Sequence, residues 1–285
     1  MLSIIIPSRT EKFLNNTIKD VLKKATGEIE VFVVLDGYGD IPYEKIEDKR
    51  VKYISLPEPV NNERHKRQGV NIAVSLSKGK YICWMDAHCA VGEGFDEILA
   101  KDCEDDWVVV PRRCRMDVEN WTGINWHKPP IDYEYWMWQH LKRGRLAGYK
   151  WDTKTIERMN VPIDDIFTAQ GSFFFMTKKH FDRMGFMKIE GYTGWGQEGE
   201  EICLTTILNG GRAVVNKNTW YAHLHKGKRF GRMYRWTRDD AKESYDYSFN
   251  YWVYQNKEFF ISIINKFGLF PNWKPNWKDK IYVHK

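Results

Sequence analysis

Short, continuous apolar runs bounded by turn residues recur along the first third of the chain: LSIIIPSR from Leu2, broken at Pro7, then IEVFVVLDG from Ile29, VKYISL from Val51 and YICWMDAH from Tyr81. Such runs are the signature of strands buried on both faces. Between them the apolar spacing becomes helical, over Leu14 to Lys24 ahead of Gly27 and again over GVNIAVSLSKG, Gly69 to Gly79. The resulting order of strand, helix, strand, strand, helix, strand predicts an open α/β sheet. In such a sheet, ligand-binding residues gather at the C-terminal strand edges.

Further along, Asp106 to Pro111 predicts another strand, and Glu119 to Trp151 is polar and aromatic-rich with little periodicity. That stretch reads as an insertion over the sheet edge, its rings serving either as a binding platform or as core cover. Phe167 to Gly185 reads as loop, strand and short helix, a glycine-rich turn leads into a helix over Glu198 to Leu208, and RAVVNK from Arg212 is a strand. Beyond His225 come a basic stretch, GKRFGRMYRWTR, and an aromatic helical tail over Tyr245 to Gly268. With no repeat or heptad of its own, the tail is expected to pack back on the domain.

The chain has 285 residues, enough for one large core plus an extension. Its 44 Lys and Arg against 38 Asp and Glu give +6, which permits an anionic partner without establishing one. Aromatics reach 15%, with 13 Trp, so some rings are expected to line a groove. Cys83, Cys89, Cys103, Cys114 and Cys203 form an odd set with no CxxC unit, which suits a reducing compartment. No basic leader or long apolar stretch is visible, so the expected location is the cytoplasm, the host's if the chain is phage-encoded.

Asp86 and His88, at i and i+2, project from one side of an extended chain while Ala87 points away, and His223 in TWYAHLHKG offers a third ligand from another strand end. Mixed oxygen and nitrogen ligation suits Mn²⁺ and tolerates Mg²⁺; the alternative is three ordinary core or surface residues. No HExxH, GxGxxG or Walker loop is present. Asp36, beside Gly37, Gly39 and Asp40, is either a loop residue bonding its own backbone or a contact for a nucleotide base or ribose.

SIIIPSR, IEVFVVLDGYGD and ERHKRQGVNIAVSLSKGKYICWMDAH together resemble family 2-type nucleotide-sugar glycosyltransferases of the GT-A fold. FTAQGSFFFMTKKHFDRMG, GYTGWGQEGEE and TWYAHLHKG resemble the polypeptide N-acetylgalactosaminyltransferases, so that the likeness covers residues 1–226, weakly between Asp117 and Asp165. It implies a Rossmann-like mixed sheet with a catalytic domain over residues 1–235, its nucleotide half up to 110 and acceptor half from 111, followed by a helical extension over 236–285. It further implies Asp86, His88 and His223 as ligands of Mn²⁺ or Mg²⁺, with His225 in reserve, and Pro7, Arg9, Asp36 and Arg67 around a uridine diphosphate sugar. Trp195 and Gly196 would shape the sugar pocket, Glu198 would bond sugar or acceptor hydroxyls, and Lys226, Lys228 and Arg229 would clamp phosphates.

Where inverting relatives carry a catalytic Asp after that Glu, this chain has Gly199, with Glu200 and Glu201 turned along the helix. Retention is therefore expected. The acceptor stays open between DNA bearing hydroxymethylated pyrimidine, of the kind phages glucosylate, a glycan or glycolipid, and protein. The Arg112 to Arg115 cluster, Arg143, Arg145 and Arg229 are the residues that suit DNA. The rival readings are a basic nucleic-acid or carbohydrate binding module without turnover and a nucleotidyltransferase. Oligomeric state is not legible.

Overall fold

A computed structural model describes residues 1–37, 44–58, 65–124, 129–185, 187–231, 237 and 239–282. Gly39, Asp40 and residues 232–236 and 238 of the basic stretch, together with the side chain of Lys228, lie outside the described residues.

The strands are β1 (Leu2–Ser8), β2 (Ile29–Leu35), β3 (Val51–Ser55), β4 (Tyr81–Met85), β5 (Cys89–Val91), β6 (Trp107–Asp117), β7 (Thr122–Ile124), β8 (Glu134–Trp136), β9 (Gly148–Lys150), β10 (Ile163–Asp165), β11 (Phe173–Thr177) and β12 (Arg212–His223). The helices are α1 (Leu14–Lys24), α2 (Lys66–Leu76), α3 (Phe95–Asp102), α4 (Trp138–Leu141), α5 (Asp152–Glu157), α6 (Lys178–Arg183), α7 (Glu198–Leu208), α8 (Gly227–Phe230), α9 (Lys242–Phe249), α10 (Lys257–Phe267) and α11 (Trp277–Tyr282).

One mixed sheet runs in the order β10, β12, β6, β11, β4, β1, β2, β3, with β5 on β12 and β7 on β6. β3, β2, β1 and β4 are parallel, as the apolar runs predict, and β11 lies antiparallel between β4 and β6. The chain leaves β1 toward β2 and returns through β4 on the other side of β1, so the C-terminal ends of β1 and β4 open a crevice where the strand order reverses. Helix α2 approaches β2 closely because residue 69 is glycine. A Cβ there would stand 2.5 Å from Val34 Cγ1.

Three elements are longer than their apolar patterns suggest, and one of them is β6, which runs past Pro111 to Asp117. α2 begins at Lys66 rather than at Gly69, which puts its first turn over the crevice. β12 does not stop at Lys217: its pairing with β6 shifts register between Asn216 and Trp220 and then continues to His223. A bulge of this kind bends and re-aims a strand. Asn216 fixes it by donating to Asp102 Oδ2 and accepting from the Asn218 N–H.

The main core joins the sheet to α1, α2, α3, α6 and α7. A second core packs Tyr135, Trp136, Leu141 and Leu146 of the insertion against Trp252, Phe260, Phe270, Trp273 and Trp277 of the tail. Each such ring contributes about 1.5–3 kcal/mol by leaving water. The tail does pack back, and its partner is the insertion, whose β8–β9 ribbon has little else to bury it. Among the described residues no helix is long and apolar enough to cross a membrane.

Candidate active site

At the end of β4 the backbone is pinned from both sides. The Asp86 N–H donates to Ser172 O at 3.0 Å, and the Leu224 N–H donates to His88 O at 3.1 Å. His223, the last residue of β12, stands opposite Cys89 and Arg115. His223 Nε2 lies 3.1 Å from His88 Nε2 and 3.3 Å from Asp86 Oδ2, and His88 Nε2 lies 4.0 Å from the same carboxylate oxygen.

All three ligand atoms fall within 4.8 Å of one another. Metal bonds of about 2.1 Å set neighbouring ligands about 3.0 Å apart in an octahedron and about 3.4 Å apart in a tetrahedron, so one divalent ion fits after sub-ångström side-chain adjustment. Protonation agrees with that use. Burial pushes both imidazoles below their ordinary range, and although burial works against ionisation of Asp86, Lys66 and His223 hold its carboxyl well below the usual carboxylate range. Two neutral imidazoles and a carboxylate are the ligand forms a hard or borderline cation takes. His225 sits edge-on to His223, with ring centroids 5.0 Å apart.

The cluster opens into a cavity of about 730 Å³, within the range of small-molecule sites. Pro7, Arg9, Asp36, Asp86, His88, Trp195, Glu198, His223 and Lys226 all line it. Arg9 donates to Asp36 at 2.9 Å, and His65 Nδ1 lies 3.2 Å from the other Asp36 oxygen. Lys226 pairs with Glu11, whose second oxygen is 3.6 Å from His88 Nδ1.

Three residues fall elsewhere. Arg67 and Glu201 do not line this cavity; they form a buried ion pair with each other. Arg67 also donates to the carbonyls of Lys188 and Gly196 at 3.1 and 3.3 Å and lies 4.1 Å over the Tyr192 ring, while Glu201 accepts from the Lys188 N–H at 2.7 Å. The pair thus fixes the loop entering α7. Arg229 faces a neighbouring cavity of about 570 Å³, shared with His223 and His225.

In place of Arg67 the structure brings in Lys66, whose Nζ lies 3.1 Å from Asp86 Oδ1, 3.2 Å from Glu198 Oε1 and 3.2 Å from Gly171 O. Each residue of a helix is turned about 100° from the last, so only one of the two neighbours can point into the crevice. Glu11, Glu134 and Arg113 also line the cavity, with Arg113 bonding Glu134 and Gln170 at 2.7 Å each. Arg112 is held by Asp132. The Arg112 to Arg115 cluster is therefore not a solvated basic patch, since two of its three arginines are tied inward.

At the start of α7, Gly199 faces backbone: a Cβ there would stand 1.7 Å from Ala169 O. No side chain, acidic or otherwise, fits at that position. Glu200 instead reaches the cavity, accepts from Thr168 Oγ1 at 3.2 Å, and is pushed up to about 8 by burial and by Glu134. The Trp195 loop hangs on the tail, with the Trp195 N–H donating to Asp240 O at 2.7 Å and the Gly194 N–H to Ser244 Oγ at 3.1 Å.

A mixed sheet with a nucleotide-type crevice, a carboxylate–bis-imidazole cluster and a polar cavity beside it defines a GT-A-like domain. The chain belongs to glycosyl transferase family 2, whose model matches residues 3–185. It is 28% identical over 164 residues to probable N-acetylgalactosaminyltransferase 8 of Caenorhabditis elegans, covering 55% of this chain and 36% of that protein. Its fold resembles GalNAc-T7, solved with UDP, GalNAc and Mn²⁺, at a TM-score of 0.65 and 16% identity over 100% of this chain and 54% of the other. It also resembles Staphylococcus aureus TarS, residues 1–349 with UDP-GlcNAc, at 0.51 and 13% over 98% and 70%. The chain thus spans about a third of the curated relative and about half of the first of these structures.

Proposed function

We propose that the protein transfers a sugar from a uridine diphosphate sugar to an acceptor hydroxyl, with Mn²⁺ or Mg²⁺ held by Asp86, His88 and His223. The observation that carries this reading is the three ligand atoms lying within 4.8 Å of one another at the mouth of the nucleotide crevice. When bound, the ion would supply positive charge against the diphosphate that leaves. Arg9 and Asp36, tied together at the ends of β1 and β2, bind the nucleoside end. Lys66 neutralises Asp86 and Glu198 and orients both carboxylates. Lys226, on the segment after β12, is placed to meet phosphate oxygens once they compete for it with Glu11.

Transfer joins the acceptor oxygen to the anomeric carbon as the bond from that carbon to the β-phosphate oxygen breaks, and the hydroxyl proton leaves with the nucleoside diphosphate. We infer retention, because Gly199 leaves no room for a base and Glu198 is engaged by Lys66. A second reading, inversion, is favoured by Glu200, a buried carboxyl facing the cavity with its pKa pushed up to about 8, suited to take a proton near neutral pH. The experiment is nucleoside diphosphate release from a panel of sugar nucleotides with Mn²⁺, with Asp86→Ala as the blank and product configuration read from anomeric proton coupling. Release that persists in Asp86→Ala overturns the metal assignment, and an inverted product transfers the base role to Glu200.

A further inference from the structure

Aromatic side chains are abundant in this chain, yet among the described residues only Tyr149 and Trp195, at 45% and 39% exposure, are exposed, and both line the 730 Å³ cavity. They come from different elements, β9 and the loop before α7, and are stitched together by Gln197, which donates to Leu146 O at 2.8 Å. That bond joins a residue two past Trp195 to one three before Tyr149. Tyr149 is braced edge-on against Tyr135 with centroids 6.1 Å apart, and the Trp195 backbone is held by Asp240. Tyr149 is thus braced through its ring and Trp195 through its backbone.

Their position is set by the sheet. Arg9 and Asp36 stand over β1 and β2, whereas the β8–β9 ribbon is tied through Glu134 and Arg113 to β6, which β11 and β4 separate from β1. The uncharged and acidic polar groups on that side include three carboxyls, Glu134, Glu198 and Glu200, and two amides, Gln170 and Gln197. The cations there are already engaged, Arg113 on Glu134 and Gln170, Lys66 on Asp86 and Glu198, and Lys150 on Asp152. A phosphodiester chain would meet like charge. The C–H face of a pyranose lies well on an aromatic ring, and its hydroxyls bond carboxyls.

We propose that Tyr149 and Trp195 form a stacking platform for an uncharged acceptor sugar, making the acceptor a neutral glycan or glycoside rather than DNA or peptide. This names the acceptor class of the transferase proposed above and rests on that reading for the reaction, though not for the binding. The acceptor ring lies on the platform with one hydroxyl turned toward the cluster, and Glu198 and Glu200 bond the neighbouring hydroxyls.

The test has two arms. In the first, nucleoside diphosphate release by the whole chain with Mn²⁺ is measured with neutral p-nitrophenyl glycosides and oligosaccharides, with a 5-hydroxymethylcytosine oligonucleotide, and with a Ser/Thr-rich peptide. Stimulation by a glycoside is expected, with Tyr149→Ala raising its KM about tenfold and Tyr149→Phe staying within about twofold because the ring is kept. In the second arm, saturation-transfer NMR follows the glycosides on the wild type, Tyr149→Ala and Tyr149→Phe without donor, and unfolding midpoints confirm that the variants fold. Stimulation by the oligonucleotide or peptide with no saturation transfer to any glycoside overturns the proposal while leaving the transferase reading intact. Tyr149-dependent saturation transfer without release from any donor keeps the platform and removes the transferase.

Discussion

Changing Arg67 to alanine separates a structural arginine from a nucleotide-binding one. Its side chain and that of Glu201 are 5% and 3% exposed, so removing the guanidinium leaves a carboxyl in a dry site. Breaking a buried pair from one side destabilises proteins by about 3–5 kcal/mol, against a typical total of about 5–15. Burial already lifts the Glu201 carboxyl above its ordinary range, and Arg67 is the chief opposing influence. Without Arg67 the folded-state pKa rises further above the unfolded value. A group raised on folding loses stability as pH rises, so the deficit of the variant should be larger at pH 8 than at pH 5. Urea unfolding at both pH values, with the slope m checked for constancy, reads this directly. Arg67→Met with Glu201→Leu should recover most of the loss. A variant within about 1 kcal/mol of wild type whose KM for the sugar nucleotide rises sharply would refute the structural role and return Arg67 to the nucleotide.

Four further outcomes follow from the same geometry. Mn²⁺ at 100 times its dissociation constant should stabilise the protein by about 2.7 kcal/mol in thermal unfolding, and His223→Ala should abolish that gain. Gly199→Asp, which would restore an acidic residue where inverting relatives have one, should yield misfolded protein and no activity, because its Cβ has only 1.7 Å to a carbonyl oxygen; a soluble, active variant would contradict the packing. Glu200, raised to about 8, binds a proton in the folded state that the unfolded chain gives up near the ordinary value of 4.5, so stability falls with pH between those limits by about 1.4 kcal/mol per unit at most. Glu200→Gln should flatten that slope in urea titrations at pH 5, 6.5 and 8. Removal of residues 239–282 should leave insoluble chain rather than a trimmed enzyme, since the tail supplies more than half of the second core; gel filtration of the truncated product checks it.

In the parallel half of the sheet β1, β2 and β4 were legible because they are buried on both faces and carry their signal locally: Ile4 to Ile6 and Val31 to Val34 need no distant partner to be recognised. Asp86 and His88 were legible for a related reason, being polar residues just past the end of β4, whereas His223 was legible from its histidine pair and the family resemblance. What escaped depends on long-range geometry. The bulge that carries β12 on to His223 is made by Asn216 reaching Asp102, far away in sequence. The three-residue strands β8 and β9 have no period of their own and are ordered by tail rings more than a hundred residues later, as when Trp273 Nε1 donates to Trp136 O at 2.8 Å. Choosing Lys66 over Arg67 required the rotation of a helix whose first turn is polar and so gives no apolar cue.

The bond between the Trp195 amide and Asp240 has a consequence for how the molecule comes into being. Strands β1 to β12 and the triad they carry are all synthesised before residue 224, yet the carbonyl that anchors Trp195, the hydroxyl of Ser244 beside it and the Tyr247 ring against Gly191 emerge afterwards. A ribosome-bound chain can thus assemble the sheet and bring its proposed metal ligands together while the Trp195 loop still lacks its moorings. The rim of the cavity is finished last, and it is finished by the same segment that seals the aromatic core.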